Sequence, residues 1–184
     1  LIPIYVYYIL YLIYNGFRTT LIDSTTKAFT HTKIISIIEK LQDKKNYTIV
    51  LLHVDNIADI NERYGASNID LLLKIFIRRL NDFLIKYHFH DIPIGRNGGG
   101  NFLFPIKCQQ KELAHLLTIF SKELNNSGIN DIEVKVSFSM IEANYDSNIK
   151  NIIKKLAIMI EENKKSDFVF PNIKLDIFEQ IVNK

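Results

Sequence analysis

The chain has 184 residues, 47% of them hydrophobic and 23% charged. That length sets one domain, or one domain with a short appendage, large enough to bury a core without disulfide or metal staples. A single cysteine, Cys108, excludes an intramolecular disulfide framework and a multi-thiolate zinc site, and it fits a reducing compartment. The net charge of +3, from 23 Lys and Arg against 20 Asp and Glu, is too small for an electrostatic nucleic-acid footprint, so no nucleic-acid partner is expected.

Leu1 to Tyr14, LIPIYVYYILYLIY, is a run of 14 uncharged residues. A chain that opens on Leu rather than Met is expected to be a piece of a longer one. The run falls short of the roughly 20 apolar residues of a spanning helix, and no basic region or small-residue cleavage site makes it a signal peptide. Three roles fit it. It is a buried strand or helix rim packed on the domain, a connector helix pairing with a second copy through Tyr7, Tyr11 and Tyr14, or the end of a membrane helix. Asn15-Gly16 is expected to close the segment as a turn.

Lys33–Leu41 predicts an amphipathic helix, and Tyr47–Val54, YTIVLLHV, a buried strand. Ile57–Tyr64 predicts a helix capped by Gly65. Ile69–Tyr87 predicts a long helix with Leu72, Leu73, Phe76, Leu80, Phe83 and Leu84 on its apolar face and Lys74, Arg78 and Arg79 on the other. Ile92–Ile94 and Phe102–Ile106 flank Asn97-Gly98-Gly99-Gly100 as a hairpin. A helix over Leu113–Leu124, an alternating strand over Ile132–Met140 and a helix over Ile149–Glu162 follow. A short strand at Phe168–Phe170 and a helix at Leu175–Val182 close the chain. The class is α/β or α+β with one sheet. Lys154-Lys155 and Lys164-Lys165 are expected on solvated faces, and Arg96 on the surface beside the glycine turn. Cys108 carries no mark of a nucleophile.

Two stretches carry the chemistry. The first runs from His53 through Asp55, Asn61, Tyr64 and Gly65 to Asp70, and the second is Arg96-Asn97-Gly98-Gly99-Gly100-Asn101-Phe102. Together they resemble the GGDEF family, the diguanylate cyclases that condense two GTP into cyclic di-GMP. Asn61, Tyr64, Gly65 and Asp70 keep the spacing of N-D-x-[FY]-G-H-x-x-G-D. Val136–Met140 resembles the strand before the family's last long helix, and Asp23-Ser24-Thr25-Thr26 a worn D-x-L-T entry motif.

The resemblance implies an α+β, nucleotidyl-cyclase-like fold with a ferredoxin-like core, a central, mostly antiparallel sheet of about five strands wrapped by helices. It implies an apolar connector over 1–19, a GGDEF domain over 20–172 and a helix over 173–184 leading to a partner domain. It places the guanine on Asn61 and Asp70, and the phosphates on the helix start at Asn56 and Ile57 to Ala58. An amide and a carboxylate suit guanine's mixed donor and acceptor edge, and backbone N–H groups at a helix start suit phosphate. The bland roles are an ordinary polar helix residue for Asn61 and a helix cap for Asp70.

The sequence departs from the family where metal is held. His53 and Gly100 stand where the two metal carboxylates are expected, Asn101 replaces the adjacent acid, so that GGDEF reads GGGNF, and Ala58 replaces a phosphate lysine. Mg²⁺ prefers anionic oxygen ligands, which imidazole and glycine do not supply. His88 and Asp91 are the remnant of the inhibitory R-x-x-D product site, with the arginine fork lost. His53, His88 and His90 are expected at unrelated positions rather than in a zinc site.

The expectation is therefore a catalytically silent GGDEF domain without required cofactor or magnesium, binding GTP or GDP as a ligand. It would work as a homodimeric regulatory module beside a sensor or EAL-type domain, in the cytoplasmic part of an inner-membrane protein. The alternatives are a residual diguanylate cyclase recruiting Asp55 or Asp59, and a pure scaffold in a membrane receptor.

Overall fold

The computed structural model describes residues 2–41, 46–143 and 148–165. Ten elements follow one another: α1 (Ile2–Leu21), α2 (His31–Leu41), β1 (Thr48–Val54), α3 (Ile57–Tyr64), α4 (Ala66–Lys86), β2 (Gly95–Arg96), β3 (Asn101–Ile106), α5 (Gln110–Ser127), β4 (Val136–Glu142) and α6 (Ile149–Lys165). The strands form one antiparallel sheet in the order β2-β3-β1-β4. Among the described residues it has four strands rather than about five. The expected strand at Phe168–Phe170 and helix at Leu175–Val182 lie outside the described residues.

β1 is the centre because its residues are apolar on both faces, as a strand covered on both sides requires. Val50, Leu52 and Val54 enter a core shared with α4 and α5, where Phe76, Phe102 and Phe120 meet. Ile49 and Leu51 enter a second core, shared with Ile34 and Ile38 of α2 and Ile152, Leu156 and Ile160 of α6. The period of two puts His53 on this second face, at the strand end. Arg79, expected on the solvated side of α4, donates instead to the Gly128 carbonyl at 2.6 Å and ties α4 to the end of α5.

Several boundaries differ from expectation. Asn15-Gly16 does not close the first segment, because α1 runs through both to Leu21. Nor is that segment a buried rim, since its apolar residues from Ile4 to Tyr14 are exposed. No helix among the described residues is long and apolar enough to cross a membrane. Ile92–Ile94 precedes the hairpin strand, which is only Gly95-Arg96. β4 starts at Val136 rather than Ile132, because Ile132 bridges Ile129 in a tight turn instead of entering the sheet. α4 starts at Ala66 with Gly65 as its N-cap, so Asp70 sits in the second turn and does not cap it.

Candidate functional site

The end of β1 meets three other elements. Antiparallel pairing sets His53 opposite Asn101 of β3 on one side and Ser137 of β4 on the other. The Val54 N–H bonds the Gly100 carbonyl at 3.0 Å, which closes the glycine hairpin against the strand end. Gly98 and Gly99 take φ of 88° and 52°, a turn that side chains resist.

The polar side chains here pair with one another except at Asp55 Oδ1, which is buried without a hydrogen-bond partner and has only charged neighbours. His53 Nδ1 lies 2.8 Å from Asn101 Oδ1, an acceptor, so Nδ1 carries the proton. Ser137 donates to Asp55 Oδ2 at 2.6 Å. Lys164, from the last turn of α6, sets its ammonium 2.9 Å from Asp55 Oδ1. His53 Nε2 is 3.9 Å from the same oxygen, and both side chains are about four-fifths buried, at 22% and 23% exposure. Burial opposes the charge on Lys164, but Asp55 and then Glu161 outweigh it and raise its titration above the ordinary lysine value.

Lys164, expected on a solvated face, thus belongs to the site. Its place in the sequence, beside another lysine at a helix end, gave no signal, because its partner lies more than a hundred residues earlier. Asp55, in the turn just after β1, comes within 3.9 Å of His53 Nε2, and its carboxylate is flanked by the Lys164 ammonium and the Ser137 hydroxyl.

As a donor set for hard divalent cations this cluster fits poorly. It offers one imidazole, one carboxylate neutralised by an ammonium, and no side chain at Gly100. A Cβ built on Gly100 lies 3.1 Å from both Ile57 Cδ1 and Val54 Cβ, so the neighbours leave little room for an added carboxylate. The residues present do not fit a magnesium pair. Among the described residues no three His, Cys, Asp or Glu side chains gather elsewhere to hold a metal.

The remaining candidates spread along one elbow. Asn56 does not cap α3; its amide donates to the Glu133 carbonyl at 2.8 Å and accepts from the Lys135 N–H at 3.0 Å. Its side chain therefore pins the approach to β4, and the first turn of α3, starting at Ile57, has no side-chain cap. Asn61 on α3 and Asp70 on α4 are both exposed, on the two arms that meet at Gly65. His88 and Asp91 follow α4 with φ of 67° and 54° and are exposed.

The entry segment is fastened to the glycine hairpin. Asp23 Oδ1 accepts from the Thr26 N–H and Oγ1, both at 2.8 Å, and pairs with Arg96 Nη1 at 3.4 Å. Arg96 is therefore not a free surface residue: its side chain is 22% exposed and joins the first turn of the domain to β2. His31, at the start of α2, adds a 2.6 Å contact to Asn97 of the hairpin.

The family model for the diguanylate cyclase, GGDEF domain, matches residues 22–169. The chain belongs to the GGDEF family. Solved structures agree on the fold of this GGDEF domain. The coiled coil and GGDEF domain of DgcB from Caulobacter crescentus, in complex with c-di-GMP, superposes with a TM-score of 0.75 at 11% identity, over 91% of this chain and 92% of that one. The GGDEF domain of FimX from Pseudomonas aeruginosa gives 0.67 at 15% identity, over 79% and 94%. The S helix-GGDEF-EAL unit of LapD from Vibrio cholerae, bound to c-di-GMP, gives 0.70 at 12% identity, over 94% of this chain and 44% of that one. No curated protein matches the sequence.

Proposed function

We propose that this GGDEF domain is a catalytically silent regulatory module of cyclic di-GMP signalling that senses GTP or GDP without a divalent metal. The observation that carries the reading is the state of Asp55. It is the carboxylate at the end of β1, and Lys164 and Ser137 hold it at 2.9 and 2.6 Å. A metal there would have to displace an ammonium already in place, and Gly100 would supply no second carboxylate. Without such ions the charge that develops on a triphosphate during phosphoryl transfer has no organised counter-ion. The same obstacle stands against a residual cyclase recruiting Asp55.

Nucleotide recognition rests on other residues. Asn61 and Asp70 are exposed on the α3–α4 elbow, and the uncapped first turn of α3 at Ile57 offers its N–H groups to phosphate. Bound nucleotide would act through unequal affinity for two arrangements of attached domains. Domain attachment of this kind is present in the LapD unit, whose GGDEF domain joins an S helix and an EAL domain. We place the domain as a homodimer on the cytoplasmic side of an inner-membrane protein, beside a sensor or EAL-type domain.

The test is calorimetric titration of GTP into the purified chain, with and without Mg²⁺, alongside a cyclase assay in Mn²⁺. Binding that Mg²⁺ leaves unchanged, lost in Asn61→Ala and Asp70→Ala, supports the proposal. Cyclic di-GMP formed from GTP refutes the silent reading, and absence of heat at millimolar GTP refutes the nucleotide-sensing one.

A further inference from the structure

Among the described residues, α1 meets the domain near its C-terminal end. The Thr30 N–H bonds the Leu21 carbonyl at 2.9 Å, and Ile22 bridges Phe29. From there the helix carries eleven consecutive residues, Ile4 to Tyr14, each between 43% and 73% exposed. All eleven are aliphatic or tyrosine, and the first charge in the chain is Arg18. At 3.6 residues per turn such a run is apolar on every face. A helix apolar all round is at home in a protein interior or in lipid, not in water.

A second copy covers only part of it. Ile2, Val6, Ile9 and Ile13 are spaced four, three and four apart and could form the seam of a two-stranded coil. Ile4, Tyr7, Tyr8 and Tyr11 would then remain in water on the far side, where coiled coils carry charge. Lipid covers all of them at once. The tyrosines also suit the level where hydrocarbon meets headgroups, and Asn15 and Arg18 follow on the water side of Tyr14.

We propose that Ile2–Tyr14 is seated in the hydrocarbon of a lipid bilayer, and that the GGDEF domain hangs from the membrane through the last turns of α1. Thirteen residues cover about 20 Å of a core roughly 30 Å thick, so these residues enter the bilayer without crossing it. The inference rests on the membrane-protein part of the function proposed above. It is independent of the nucleotide pocket, and the GTP titration and the lipid test can each fail alone.

The chain has no tryptophan, so a single introduced one reports its own surroundings. The full chain is mixed with neutral phosphatidylcholine vesicles, which removes attraction between basic residues and anionic headgroups. The unmodified chain is expected to float with the vesicles. Leu10→Trp emission shifts to the blue and is quenched by bromine on the acyl chains, whereas Leu71→Trp, exposed on α4, does neither. Ile13→Asp, on the seam, and Tyr11→Asp, on the opposite face, each lower vesicle partitioning at least tenfold, because an aspartate in the apolar core is opposed strongly wherever it points. No flotation and no blue shift overturn the proposal. So does a stable dimer in solution that only one of Ile13→Asp and Tyr11→Asp breaks, which would assign the helix to a second copy through its isoleucine or its tyrosine face.

Discussion

Lys164→Met removes the ammonium at Asp55 and keeps most of the aliphatic stem. The pair sits at 2.9 Å, with 30% of the lysine side chain and 23% of the aspartate side chain exposed. A fully exposed pair contributes about 0–1 kcal/mol, and breaking a fully buried one costs about 3–5 kcal/mol because a bare charge is left behind. The site lies between these limits, and Ser137 still donates to the other carboxylate oxygen. The expected loss is therefore about 1–2 kcal/mol, a fall in Tm of roughly 3–8 °C for a domain of this size. Urea or thermal melts of Lys164→Met, Asp55→Asn and the double variant close a cycle, and the coupling should be about 1 kcal/mol. The sign against pH is fixed by the raised titration of Lys164. A group raised in the folded state stabilises below its unfolded value and loses that contribution as pH climbs through the folded one, so the difference between wild type and Lys164→Met persists at neutral pH and shrinks only in the alkaline range. A coupling indistinguishable from zero would refute the reasoning, because Asp55 would then be free to take a metal.

Three other sites give independent outcomes. Burial alone would raise the Asp23 carboxyl, but the Thr26 bonds and then Arg96 hold it below its ordinary 3.8. Its stabilisation is present above that value and lost as pH falls below it, so urea melts of wild type and Asp23→Asn should differ by a constant amount at pH 5–7 and converge as the solution is made more acidic than the ordinary carboxyl value. Burial first, then Glu112, push the Cys108 thiol from 9.0 up to about 11. At pH 8 that leaves about a hundredfold less thiolate than an ordinary cysteine, and alkylation by iodoacetamide should slow accordingly. Gly95 lets α2 lie against β2, since an added Cβ would fall 2.2 Å from Ile34 Cβ. Gly95→Ala should therefore cost about 2 kcal/mol or more in a melt, and Ile34→Ala should recover part of that loss in the double variant.

Local pattern was legible in the sequence, and long-range polar pairing was not. The apolar run at Thr48–Val54 and the helical spacing around Ile34 and Ile38 report burial, which periodicity encodes, so β1 and α2 appeared within two residues of their bounds. Gly65 announced the end of α3 for the same local reason. Asn15-Gly16 misled because turn propensity is weak: a glycine inside a helix costs about 1 kcal/mol, which the flanking turns of α1 outweigh. The strand ends at Ile92 and Ile132 misled because an apolar residue packs equally well in a loop that crosses the core. Lys164 is exposed as expected and Arg96 is half-buried, but the acid that each one pairs with was not legible. Each finds its acid through the fold, 109 and 73 residues away along the chain, and no pattern of nearby residues carries that information.

The arrangement explains how the domain keeps its fold with neither expected metal carboxylate. Both cores are built from residues whose burial is indifferent to a cation: phenylalanines and leucines on one face of the sheet, isoleucines on the other. A charged group left unpaired at the end of β1 would be costly, as any buried polar group without a partner is. Here His53 pairs with Asn101 and Asp55 Oδ2 with Ser137, while Asp55 Oδ1, buried without a hydrogen bond, is balanced by the Lys164 ammonium. The covalently tethered ammonium balances the remaining carboxylate without needing an ion from solution, so the stability of this region should be insensitive to chelators. In the regulatory role proposed above, what the domain would transmit is a shift in how it holds its neighbours. The parts placed to transmit it are those that join it to the rest of the chain: α1, and the Asp23–Arg96 clasp that fixes the end of α1 to the glycine hairpin. Loosening that clasp, rather than altering His53 or Gly100, is the change that should alter signalling most.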